Sequence, residues 1–126
     1  MGNLKKSKTL KYYRDKADKL CFQKYLKPRC EVCGKKAVHL HHIFPKGLYG
    51  HLRYTPDNLV SLCFKCHFRH HHRADPSIHD AIIAKRGKKW YRYLQSLATN
   101  PPKNYKQSIK WYKFNIEVLE KNEEDY

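Results

Sequence analysis

Four of the five cysteines fall in two pairs, Cys30-x2-Cys33 and Cys63-x2-Cys66. Two thiolates at this spacing sit in one tight knuckle and can bind one ion, and two knuckles complete a tetrahedral set. Zn2+ is the natural occupant, since it takes four soft ligands and has no redox chemistry. Gly34, directly after the first pair, suits the knuckle turn. Four protein ligands leave no open position, so the expected role is structural. The same spacing could serve two disulfides, but these need an oxidising compartment and nothing in the sequence points to one. The fifth cysteine, Cys21, stands at an apolar helix position and reads as a buried thiol.

The nine histidines are spread unevenly. His39, His41 and His42 lie on a candidate strand, and His51 is in the loop after it. His67, His70, His71 and His72 crowd the segment after Cys66, and His79 stands apart. His67 and His71 are four residues apart, so a helix puts both on one face. The strand and the helix each flank a knuckle of the same zinc site, which forces them together. A second site would then hold His41, His67 and His71, with His42 adjacent. So few protein ligands leave positions for water or a phosphate oxygen, as in a catalytic metal centre. His39 shares a strand face with His41. It is a backup ligand, with a structural or phosphate-contacting role preferred.

These residues need elements to hold them. A chain of 126 residues and 15.2 kDa fits one domain, or one small core with helical attachments. Hydrophobic residues make up 40% and mean hydropathy is −0.89, so the core is marginal and a zinc staple would help it fold. Residues 9–26 read as an amphipathic helix ended by Pro28. Val38 to Phe44 and Leu59 to Leu62 read as strands, separated by a loop with Gly47, Gly50 and Pro56. Helices are expected over 64–73, over 76–85 after the Asp75-Pro76 start signal, over 88–98 beyond Gly87, and over 104–122. The acidic end, residues 123–126, is expected to fray, because a helix C-terminus disfavours negative charge. The fold class is α+β. A basic N-terminal helix occupies 1–29, the knuckle and histidine core 30–74, and a C-terminal helical region with an acidic tail 75–126.

Charge indicates the partner. Lys and Arg number 27 against 11 Asp and Glu, a net charge of +16. The excess lies in residues 1–113, with 26 basic and 6 acidic side chains, while residues 114–126 hold 1 and 5. Such a body seeks a polyanion, because neutralising phosphates releases counterions. A merely soluble surface and an anionic membrane are the weaker readings. Lys46, Arg53, Lys65, Arg69 and Arg73 lie in or beside the histidine core and are the candidates to hold phosphates. Lys85, Arg86, Lys88, Lys89 and Arg92 form a second cluster, and Lys5, Lys6, Lys8 and Lys11 a third. The aromatics of Lys88-Lys89-Trp90-Tyr91-Arg92-Tyr93 either stack on bases or fill a core. None of this is a base-reading code. No apolar run approaches the ~20 residues of a membrane span, and the start lacks a secretory stretch. The expected location is cytoplasmic.

At this point the residues resemble a family. Leu40-His41-His42-Ile43-Phe44-Pro45, then Asp57-Asn58-Leu59-Val60-Ser61-Leu62-Cys63, then Cys66-His67, is similar to the HNH endonuclease signature. That resemblance implies a ββα-metal core, with His42, Asn58 and His67 as its motif residues. Leu52-Arg53-Tyr54-Thr55-Pro56-Asp57-Asn58, Cys63-x2-Cys66-His67-Phe68 with His71, and the basic helix before Cys30 most resemble the phage NinG/Rap type of recombination nuclease. The resemblance implies that His42 is the general base and that Asn58 orients the inter-strand loop or holds the base. It further implies that His41, His67 and His71 bind a catalytic Mg2+ or Mn2+. His41 stands where many members carry an acidic residue, which turns metal preference toward softer ions. The implied activity is hydrolysis of DNA phosphodiester bonds, on duplex or on branched intermediates such as Holliday junctions, in a phage-infected cell. A symmetric junction cut calls for two active sites, hence a homodimer. Two rivals share the motif or the staple. One is a zinc-stapled nucleic-acid binder without catalysis, and the other a phage packaging or restriction-type HNH nicking enzyme.

Overall fold

The computed structural model describes residues 7–121. Lys5 and Lys6 of the third basic cluster, residue 122 of the last expected helix and the acidic end lie outside them. The chain divides into two compact units, one of Tyr25–Tyr105 and one of Met1–Lys24 with Lys106–Tyr126.

The smaller unit is helical. In it α1 (Leu10–Tyr25) starts at Thr9, whose hydroxyl accepts from the Tyr12 backbone N–H, and buries Ala17 and Cys21. The last helix, α5 (Ile109–Glu120), buries Tyr112, Ile116 and Leu119. It begins five residues later than the sequence spacing predicts. Asn104 adopts a left-handed φ of 61°, and the Ser108 hydroxyl caps the helix by accepting from Trp111 N–H. Lys24 Nζ donates to the carbonyls of Leu119 and Lys121, setting a cation on the negative end of α5.

The larger unit holds the knuckles and the sheet. The strands β1 (His39–His42) and β2 (Leu59–Leu62) pair antiparallel, with His41 opposite Val60 and His42 opposite Leu59. β1 is shorter than the predicted 38–44, although Val38 N–H still donates to Leu62 O. Three helices follow: α2 (Phe64–Arg73), α3 (Ser77–Arg86) and α4 (Lys88–Thr99). All of β2 is buried, and Val60, Leu62, Ile78, Ile82, Leu94 and Ala98 share one core. This is the expected α+β class, with the ββα order in β1, β2 and α2. No helix among the described residues is long and apolar enough to cross a membrane.

Two turns position α3. Ala74 takes a left-handed φ of 49° and ends α2. The Asp75 carboxylate then accepts from Ser77 N–H and from the Arg69 guanidinium, so α3 starts at once. Its far end is fixed by Arg86, which donates to both carboxylate oxygens of Glu31 and to the carbonyls of Asp57 and Leu59. Arg86 thus leaves the expected cationic surface cluster and becomes an internal tie. Trp90 and Tyr91 also turn inward, Trp90 Nε1 donating to Asp57 O and Tyr91 stacking on Phe44, while Tyr93 is exposed. Of the two options for this aromatic run, core filling holds at Trp90 and Tyr91.

Candidate metal centre and active-site cleft

The four paired cysteines converge as the sequence spacing predicts. Their sulfurs lie within 4.8 Å of one another, and Cys33 Sγ is 3.5 Å from Cys63 Sγ. Zinc–thiolate bonds of about 2.3 Å in a tetrahedron place sulfurs roughly 3.8 Å apart, so the quartet fits such an ion. The first knuckle closes through Gly34, whose N–H donates to Cys30 O at a φ of 79° that favours glycine. The second opens α2, where the Cys63 sulfur caps the helix by accepting from Cys66 N–H. Burial acts to raise the Cys30 pKa, but backbone N–H groups of Cys33, Cys63 and Val32 outweigh it and bring the thiol down to about 7. Burial and the neighbouring sulfurs push Cys66 upward. Thiols this close ionise together only around a cation.

The knuckles also set the strand–helix geometry. Glu31 N–H donates to Ser61 O, and Ser61 N–H donates to the Glu31 carboxylate, tying the first knuckle to β2. The second knuckle runs directly from β2 into α2.

Five imidazoles meet over this frame. The nitrogens of His41, His70 and His71 come within 4.8 Å of one another. The His67 ring lies 4.3 Å from that of His71 and 5.5 Å from that of His41. His79, apart in the sequence, reaches His41, with their Nε2 atoms 3.0 Å apart. The tight turn at Ala74 and Asp75 folds α3 back beside α2 and brings it there. A proline-started helix so soon after the histidine run was the available signal. His39 stacks on His67 with centroids 4.3 Å apart, beside the cluster rather than in its converging set.

Burial and mutual repulsion favour the neutral form of His41, His67, His70 and His79. Burial, then the surrounding histidines, lower His41 to about 2 and His67 to about 4. Burial lowers His79 to about 4 and lowers His70 as well. Neutral imidazoles carry the lone pairs that a cation takes.

The cluster opens on a cleft of about 610 Å³, lined also by His42 and Lys46. His42 Nε2 lies 2.9 Å from Arg53 O. A carbonyl only accepts, so Nε2 donates and the lone pair resides on Nδ1. Asn58 is fully buried. Its Nδ2 donates to the carbonyls of Phe44 and Leu52, and its Oδ1 accepts from Phe44 N–H. It therefore fastens the end of β1 to the loop that carries Arg53.

The candidate phosphate contacts are dispersed. Lys46 lines the cleft, and Lys65 is exposed on α2. Arg53 lies near the Tyr54 ring, and Arg73 lies over the Phe68 ring. The Arg69 guanidinium is engaged by Asp75 and also donates to Ser77 Oγ.

Neither curated proteins nor solved structures provide a match for the chain. A protein-family comparison does: residues 30–73, the segment that carries both knuckles, both strands and α2, match the family model described as HNH endonuclease.

Proposed function

We propose that this protein is a metal-dependent DNA endonuclease and that the histidine cleft is its active site. The observation that carries the reading is the convergence of His42, with its lone pair on Nδ1, and a set of neutral imidazoles on one cleft. In this reading His42 Nδ1 takes the proton of the attacking water. The water oxygen bonds to phosphorus, the bond from phosphorus to the 3′ oxygen breaks, and the departing oxygen is protonated from solvent. His41, His67 and His71 would hold the catalytic divalent ion, Mg2+ or Mn2+ as the family resemblance implies, although an all-imidazole set leans toward softer ions; when bound it would stabilise charge on the pentavalent phosphate and the leaving oxygen. Asn58 acts on the loop rather than on substrate. Zn2+ at Cys30, Cys33, Cys63 and Cys66 holds strand and helix in register.

Lys46, Arg53, Lys65, Arg69 and Arg73 hold the DNA backbone, with Asp75 fixing Arg69 in place. The net charge of +16 supports binding by backbone and shape without base reading. The finer reading is a recombination nuclease acting as a homodimer on four-way junctions in the cytoplasm of an infected cell. In domain terms, 1–29 and 75–126 flank a catalytic core at 30–74. Supercoiled plasmid and junction DNA incubated with the protein and Mg2+ or Mn2+ test it. Nicked, linear or resolved products are expected. No cleavage of any substrate with either ion would leave a zinc-stapled nucleic-acid binder.

A further inference from the structure

His79 enters the cleft from outside the matched HNH segment. It sits in the first turn of α3, and its ring stacks on His70 with centroids 4.2 Å apart and planes 18° from parallel. Its Nε2 lies 3.0 Å from Nε2 of the buried His41, so one shared proton joins the two rings. His41 is in turn within ligand range of His70 and His71. No carboxylate lines the cleft among the described residues. Asp80 acts on His79 through its charge without lining it.

This donor set differs in kind from one suited to Mg2+. Hard ions such as Mg2+ prefer carboxylate, carbonyl and water oxygens, while imidazole suits Zn2+, Ni2+ and Cu2+. Two imidazole nitrogens bound to one tetrahedral ion through bonds of ~2.0–2.1 Å lie roughly 3.4 Å apart. The His41–His79 pair is already close to that spacing, so an ion can replace the shared proton with a small movement of the rings. Burial supplies a dry wall on the His41 side, and α3 brings the His79 nitrogen up beside it.

We propose that His41, His70, His71 and His79 form a closed, all-imidazole site for a divalent transition ion of the Zn2+, Co2+ and Ni2+ class. His79 fills the position that hydrolysis would leave for water or phosphate. An ion held this way has no position left for water or phosphate, and that inhibitory meaning rests on the nuclease reading. The binding site itself does not.

The test uses binding alone, so its outcome is independent of cleavage. The 126-residue chain carrying one Zn2+ in the thiolate site is titrated with Co2+, and the visible d–d bands are followed. A second site with tetrahedral bands and no intense sulfur-to-cobalt charge transfer is expected. His79→Ala and His70→Ala should each weaken it by about tenfold or more, while His72→Ala leaves it unchanged. Millimolar Mg2+ should fail to displace the ion. His79→Gln keeps a hydrogen-bonding partner for His41, so it separates folding from ligation, and it too should weaken Co2+ binding. Equal Co2+ affinity in wild type, His79→Ala and His79→Gln would overturn the proposal. So would the absence of any second site, or a loss on His67→Ala with none on His79→Ala.

Discussion

The Nε2–H of His42 is held by the carbonyl oxygen of Arg53 at 2.9 Å, a bond that chooses the tautomer of the ring facing the cleft. The consequence for chemistry is direct. With Nε2–H donated to that carbonyl, Nδ1 of the neutral ring is the nitrogen able to accept a proton. Replacing His42 with Ala should lower plasmid cleavage by at least ~100-fold, the usual range for losing a positioned base. DNA affinity, which the proposed reading assigns to cations elsewhere, should stay within about twofold. Gel-shift and cleavage assays on the same preparation read both. Full activity in His42→Ala would remove this residue from the mechanism.

The adjacent support is Asn58, fully buried with three hydrogen bonds to backbone groups of Phe44 and Leu52. Asn58→Ala leaves those groups without their partner, at a cost on the order of 3 kcal/mol. Asn58→Asp keeps the acceptor for Phe44 N–H and loses both donors. Both variants should melt below wild type in a thermal scan. Residual folded protein should cut more slowly, because the loop that carries Arg53 O is released. A variant as stable as wild type would contradict the fastening role.

Much of this site could be read from spacing, and the parts that could not have a physical reason. Cys30, Cys33, Cys63 and Cys66 are legible because each pair lies two residues apart and needs no tertiary information. β2 and α2 lie where their apolar and turn residues put them, at Leu59–Leu62 and Phe64–Arg73. His79 is different. Its place depends on a left-handed Ala74 and on the Asp75 cap, and a left-handed alanine has no sequence signature. Arg86 is different too. A cation among cations reads as surface, and only the fold brings Glu31 to meet it from 55 residues away. The late start of α5 turns on Asn104 and Ser108, local backbone choices that a hydrophobic period does not record.

That Arg86–Glu31 pair carries a prediction of its own. Its closest approach is 2.7 Å, and the side chains are only 18% and 12% exposed. Removing one partner strands the other charge, so Arg86→Ala or Glu31→Ala should each destabilise by about 3 kcal/mol. The double variant Arg86→Met/Glu31→Leu removes both charges and should recover part of the loss. Denaturant titration of the three proteins measures it. Additive losses in the double variant would show that the two residues act independently.

Acid should loosen the histidine cluster. His41 is lowered to about 2, and His67 and His79 to about 4, chiefly by burial. The unfolded chain titrates near the ordinary value of about 6.5, so below that pH it binds protons that the folded cluster refuses. Stability is therefore full above pH ~6.5 and falls as pH drops toward about 4. Thiolate protonation weakens the zinc site over an overlapping range, so the useful comparison is wild type against His79→Gln. The variant has one depressed imidazole fewer and should lose less stability between pH 6.5 and 4. Parallel losses would show that His79 contributes nothing to the acid sensitivity.

Metal removal tests whether strand and helix depend on a zinc staple. Cys30, Cys33, Cys63 and Cys66 draw the first knuckle, the end of β2 and the start of α2 to one point. Without a shared cation the sulfurs must be protonated or move apart, since Cys66 is already pushed up by burial and its neighbours. Native mass spectrometry should find one tightly bound zinc per chain in the absence of added divalent ions. Stripping it with a strong chelator should lower the thermal midpoint sharply and reduce helical circular dichroism, and added zinc should restore both. Cys33→Ser, at the exposed sulfur, should weaken zinc with little change in packing, whereas Cys66→Ser disturbs the buried core as well. A zinc-free protein with an unchanged melting transition would mean that the four thiols only pack, and the alignment of His42 with the imidazole cluster would then need another cause.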